Sequence, residues 1–162
     1  MTFLTAGEAD PDAFSTVDLG FRVEKSSATL PATTTQNIFT VSGGEVLVTL
    51  LYGKVSTVIQ TQACNLKVTS APTTGTAVDL AADLNVSADE AGCIYRVEGD
   101  GTALVGANAG AGLSAVGLSP MIVPAGSIRI ETSATNTGAT GWVLSHKPLV
   151  RGARVVPAYS GV

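Results

Sequence analysis

The sequence predicts an all-β fold: a β-sandwich or jelly-roll-like barrel with an extended N-terminal arm. Three observations carry that prediction. Hydrophobic residues make up 45% of the 162 residues while aromatics make up only 5%. The core must therefore be built from Val, Leu, Ile and Ala, and the β-branched members of that set suit a pleated, half-buried surface. Short runs of alternating polarity recur along the chain, separated by Gly, Pro and Asn, and helical periodicity is scarce.

Residues 1–30 mix polarity, contain Pro11 and hold no sustained period, which predicts an arm with one strand at "FRVEK" (21–25), ahead of a sandwich domain over 31–162. "QNIFTV" (36–41) opens the regular strands, and Gly43-Gly44 is a turn. A long β-rich segment over 45–62 follows. Its first half, "VLVTLLY", is apolar on both faces, whereas Val55, Thr57 and Ile59 then alternate with Lys54, Ser56 and Gln60. Such a change at Gly53 predicts a bulge or bend there.

"NLKVT" (65–69), "CIYRV" (93–97), "TALVG" (102–106), "PMIV" (120–123) and "ARVVP" (153–157) read as further short strands, while "AVDLAADL" (77–84) fits a strand or one to two helical turns. In "MIVPAGSIRIETS" (121–133), Pro124 and Gly126 supply turn chemistry. Ile128 and Ile130 then share one face of a strand, with Arg129 and Glu131 on the other. Asn136 and Gly138 predict a hairpin loop joining "SIRIETS" (127–133) to "GWVLSHK" (141–147). With eight to ten short strands so spaced, a two-sheet sandwich is the expected architecture.

Composition narrows the function. Charged residues are only 14% and mean hydropathy is +0.35, which predicts a surface of Thr, Ser, Ala and Gly that neighbouring subunits cover in part. A net charge of −4 and a pI near 4.8 argue against nucleic-acid binding, which needs a basic stripe. The charge is polarised: Glu8, Asp10, Asp12, Asp18 and Glu24 crowd the start, while Lys147, Arg151 and Arg154 follow the last acid, Glu131. These ends either meet between subunits or are simply solvated. Cys64 and Cys93 are expected as free buried thiols. The opening stretch has no basic region followed by an apolar core, so no secretory signal is expected and assembly in a cytoplasm follows. The uncharged run 101–128 carries too many Gly, Ala and Pro for a membrane helix.

Candidate chemistry is sparse. His146 is the single histidine, on the strand face shared with Trp142 and Leu144, and reads as a packed or partly exposed strand-end residue rather than a catalytic base. "DLNVSADEAGCI" (83–94) spaces Asp83, Asn85, Ser87 and Asp89 like the start of a calcium loop, but it offers Ala88 where glycine is required and Ile94 where a bidentate glutamate belongs. An acidic, solvated turn is expected there. The "NVS" at Asn85 matches a glycosylation acceptor but lacks the secretory context. "GAGLSA" (110–115) imitates a dinucleotide fingerprint without the strand and helix that motif needs. No cofactor, metal or enzyme activity is expected; a cupin-like metal enzyme would need clustered histidines.

"NIFTVSGGEVLVTLLYGKVSTVIQTQACNLKV" (37–68) and "MIVPAGSIRIETSATNTGATGWVLSHKPLVRGARVV" (121–156) resemble small virion structural proteins of tailed bacteriophages, of the head-decoration or head-fibre kind. The marks are the Ser-Gly-Gly turn before the long strand, its "STVIQTQACNLKV" continuation, the "VPAGSI" turn and the final strand ending in Lys147-Pro148-Leu149. The resemblance implies a capsid decoration (cement) protein on the outer capsid surface of a virion. Such a subunit is a homo-oligomer, a trimer by expectation, and its partner is the major capsid protein. A tail, baseplate or receptor-binding fibre domain is the alternative, which would bind glycans through Tyr52, Tyr95, Tyr159 or Trp142. Candidate oligomer or capsid contacts are Leu47, Leu51 and Tyr52 on the long strand, Arg151 and Arg154, and Asp10 and Asp12.

Overall fold

The computed structural model describes residues 19–99, 101–102, 104–107 and 119–159. Among these, eleven strands and no helix occur: β1 (Phe21–Thr29), β2 (Thr35–Ser42), β3 (Val46–Thr57), β4 (Asn65–Pro72), β5 (Val78–Asn85), β6 (Ile94–Arg96), β7 (Val105–Ala107), β8 (Met121–Val123), β9 (Gly126–Thr132), β10 (Ala139–Pro148) and β11 (Arg154–Pro157). They form two antiparallel sheets of a β-sandwich. The first runs β1-β10-β3-β6-β7, with β8 also on β3; the second runs β11-β2-β9-β4-β5.

Alternation explains the core. On β9, Ile128 and Ile130 are buried while Arg129 and Glu131 face outward, and Gly126 takes a φ of 153°. Phe39, Val41, Leu66 and Val68 of the second sheet join Val46, Val48, Leu51, Val55, Trp142 and Leu144 of the first in one continuous core. Each such aliphatic or aromatic side chain contributes about 1.5–3 kcal/mol on leaving water.

The doubly apolar start of the long strand has a different cause from the one expected. The bulges lie at Thr49 and Ser56, where the β10 register steps from Leu50 to Val48 and from Thr57 to Val55. Gly53 pairs regularly with Trp142 and Tyr95. It is a glycine because a Cβ there would sit 2.9 Å from the indole of Trp142. The extra residue at Thr49 changes the parity of the strand, so Val46, Val48 and Leu51 point inward and Leu47, Leu50 and Tyr52 outward. The Thr49 hydroxyl spans the irregularity, donating to the carbonyl of Leu19 and lying 3.2 Å from that of Ser145.

Three further expectations are corrected or completed. The segment set apart as an arm, residues 1–30, is divided: residues 21–29 are β1, registered on β10 from Phe21 opposite His146 to Thr29 opposite Ala139, and residues 1–18 lie outside the described residues. Its "FRVEK" alternation places Val23 against the core and leaves Arg22 and Glu24 exposed. β9 and β10 are not a hairpin; they belong to different sheets. Buried Asn136 makes the corner between them, its Oδ1 accepting from Gly138 N at 2.9 Å and from Gln60 N at 3.3 Å. Finally, the 77–84 stretch is a strand, and Ala82 of β5 exchanges backbone bonds with Thr102 and Leu104. That contact covers one edge of the second sheet and leaves β11 as its other edge.

Candidate interaction surface

The groups with chemical potential are mostly consumed by structure. His146 is buried at the end of β10 with the Phe21 ring 5.9 Å away. Its Nδ1 has no hydrogen-bond partner. Desolvation pulls its pKa below the ordinary histidine value, against a hydrogen bond with the Phe21 backbone. Cys64 and Cys93 are buried and free.

The acidic turn is not solvated as expected, because Asp89 is buried and accepts the Tyr95 hydroxyl at 2.6 Å. Burial first, and Asp89 second, push the phenol far above its ordinary pKa. Asn85 Oδ1 accepts from Ser87 N at 3.0 Å, and Ala88 takes the left-handed φ of 63°. Among the described residues no group of three or more His, Cys, Asp or Glu side chains could hold a metal ion. "GAGLSA" lies outside the described residues.

The second sheet presents a compact charged face. Lys67 Nζ lies 3.3 Å from both Asp79 and Glu131, and Arg129 Nε is 3.5 Å from Glu131. Partial burial lowers the Lys67 pKa, but hydrogen bonds to Glu131 and Asp79 outweigh it and the net shift is upward. Arg129 and Glu131 are thus members of an outward-facing ionic network. Pairs this exposed contribute little to stability.

The first sheet presents an apolar face. Leu47 pairs with Ile122 of β8, which is 67% exposed, and Leu50 and Tyr52 continue the row. A shallow depression of about 280 Å³ beside Tyr52 is lined by Arg22, Glu24, Lys54 and Gly141, among others. Leu51, expected as a contact, is fully buried in the core and unavailable to a partner. Tyr95 and Trp142 are likewise buried, so they cannot stack on a sugar; Tyr52 is half-buried and Tyr159 is 87% exposed.

The third feature is the corner where the chain passes from β10 to β11. Leu149, Val150 and Val156 are exposed by 49%, 43% and 41%, and Arg151 and Arg154 are exposed beside them. The Gly43-Gly44 turn packs under this loop, with Gly43 at a φ of 79°; a Cβ on it would meet the Gly152 carbonyl at 2.4 Å. Backbone therefore holds the loop in place, while its own large side chains face out. Asp10 and Asp12 lie outside the described residues. Ile122 was missed in the sequence because a three-residue strand gives no periodic signal of which neighbour it joins.

Comparison with known proteins gives no family match and no match among curated proteins. A chain from a solved structure titled "Structure of infectious bursal disease virus Gx strain" aligns at 12% identity with a TM-score of 0.20, over 85% of this chain and 36% of its own. This chain thus spans about a third of that one, and a likeness this small carries no argument.

Proposed function

We propose that the protein is a capsid decoration subunit, which self-associates and binds the major capsid protein on the outer surface of a tailed-phage virion. The sequence resemblance over residues 36–158 supplies the class. The observation that carries the physical part is the outward row of Leu47, Leu50 and Tyr52 on β3, extended by Ile122 on β8. An apolar row on the outer face of a sheet is stabilised by cover, and at about 25 cal/mol per Å² a modest area offsets part of the cost of association. A rigid β-sandwich suits a cement role, since it distributes load through two hydrogen-bonded sheets. The test is native mass by light scattering, alone and after mixing with expanded, undecorated capsids of the cognate major capsid protein. A discrete oligomer, a trimer by expectation, that co-sediments at fixed stoichiometry supports the reading. A monomer indifferent to capsids overturns it and favours a tail or glycan-binding role, in which Tyr159 and Tyr52 are the aromatic candidates.

A further inference from the structure

The chain contains nine basic and thirteen acidic residues. Four of the acids, Glu8, Asp10, Asp12 and Asp18, precede Arg22, the first base. From residue 19 onward nine of each remain, so the formal net charge of −4 belongs wholly to the first eighteen residues. A neutral body carries an acidic extension.

Within the body, Arg22, Lys67, Arg96 and Arg129 have carboxylate partners. The other five bases make no ion pair among the described residues: Lys25 and Lys54 stand apart on β1 and β3, whereas Lys147, Arg151 and Arg154 fall within a single stretch of eight residues, on the corner that also exposes Leu149, Val150 and Val156. The corner leads into β11, the edge strand of its sheet, whose outer side is hydrogen-bonded to no other strand among the described residues. The acidic segment joins the body at the same end: Gly20 lies so close to His146 and Lys147 that a Cβ on it would be 2.1 Å from the His146 carbonyl oxygen and 2.8 Å from Lys147 Cγ.

We propose that this basic, apolar corner is the docking site for residues 1–18 of a second copy of the chain, with acids against Arg151 and Arg154 and with Phe3, Leu4 and Phe14 available to cover the exposed aliphatic side chains. Charge complementarity favours this occupant, because the segment holds four acids and no base, while the corner holds three bases that make no ion pair among the described residues. The self-association reading supplies the second copy, and the length of the segment lets it reach one. Eighteen residues span up to about 60 Å, several times the radius of gyration of about 15 Å expected for a chain of this length. The proposal rests on the self-association part of the reading above and is independent of the capsid.

Charge-swap complementation in the full chain tests it. The variants are D10K/D12K and R151E/R154E, each checked by its thermal midpoint and Trp142 emission, and the readout is sedimentation velocity at low salt. Each variant alone pairs like charges and is expected to weaken association at least about tenfold. An equal mixture restores opposite charges between copies and is expected to recover the wild-type mass, with association weakening at high salt. If either variant alone keeps the wild-type mass, the corner does not hold the segment, while self-association stands on another face. If both dissociate and the mixture stays dissociated, the segment does not cross between copies and the proposal is overturned. A wild-type chain that is monomeric throughout removes both this proposal and the self-association reading.

Discussion

The phenol of Tyr95 donates a hydrogen bond to the carboxylate of Asp89 at 2.6 Å, and both residues are buried. The bond ties β6, in the first sheet, to the turn that leaves β5 of the second. A buried acceptor with one strong donor is costly to orphan in either direction.

Asp89→Ala is expected to destabilise the fold by about 1–3 kcal/mol, read from the urea midpoint, because the phenol loses its acceptor inside the protein. Tyr95→Phe leaves a carboxylate without its donor and is expected to cost a similar amount. The double variant should be less destabilised than the sum of the two, since neither orphan remains. Strict additivity would show that the bond contributes nothing.

The same pair sets an alkaline limit. Tyr95 keeps its proton in the folded state to a pH well above its ordinary value, whereas the unfolded chain releases it near pH 10. Stability from this group is therefore complete below pH 10. It falls as pH rises further, at up to about 1.4 kcal/mol per pH unit. Tyr95→Phe should remove that component of the slope, as measured by urea unfolding at pH 9, 10 and 11; an unchanged slope would contradict the assignment.

His146 acts at the other end of the scale. Burial lowers its pKa in the folded state, so below about pH 6.5 the unfolded chain binds the proton that the native imidazole refuses. The contribution is present above pH 6.5 and is lost as pH falls toward the depressed native value. Being the single histidine, its ring resonances can be followed by NMR without ambiguity. A native titration midpoint at or above 6.5 would show that burial does not desolvate the ring.

Local alternation made much of this fold legible. Ile128 and Ile130 opposite Arg129 and Glu131, and the Gly43-Gly44 turn, follow from residue order alone because their causes lie within a few residues. What could not be read depends on contacts across long stretches of chain. Asn136 with Gly138 has the chemistry of a hairpin turn, yet Asn136 bonds to Gln60, 76 residues away, and so fixes a crossing between sheets. One extra residue at Thr49 put Leu51 on the opposite face from Leu47, and composition cannot show such an insertion. Of the interaction surface, the basic corner was visible as unmatched charge. The exposed Ile122 was not, because its exposure comes from the pairing of β8 with β3.

Gly53→Ala probes that central strand. The new methyl would lie 2.9 Å from the Trp142 ring, in a part of the core where both neighbours, Trp142 and Tyr95, are among the largest buried side chains. Overpacking of this kind is expected to cost about 1–3 kcal/mol, with a shift in Trp142 emission as the indole is displaced. Wild-type stability and emission would mean that the sheet relaxes around the methyl.

Leu47 and Leu51, four residues apart on one strand, should respond to the same change in opposite ways. Leu51→Ala removes a fully buried side chain and is expected to cost about 2–5 kcal/mol; Leu51→Asp should prevent folding, since it places an unpaired charge in the core. Leu47→Asp alters only the outward row and should leave the thermal midpoint within a few degrees, while sedimentation shows weaker self-association, most of all when combined with Ile122→Asp. Were both Leu47→Asp and the Leu47→Asp/Ile122→Asp pair to fold and associate as the wild type does, the outer face of the first sheet would be free of subunit contacts. Self-association would then have to run through the basic corner or the strand edges.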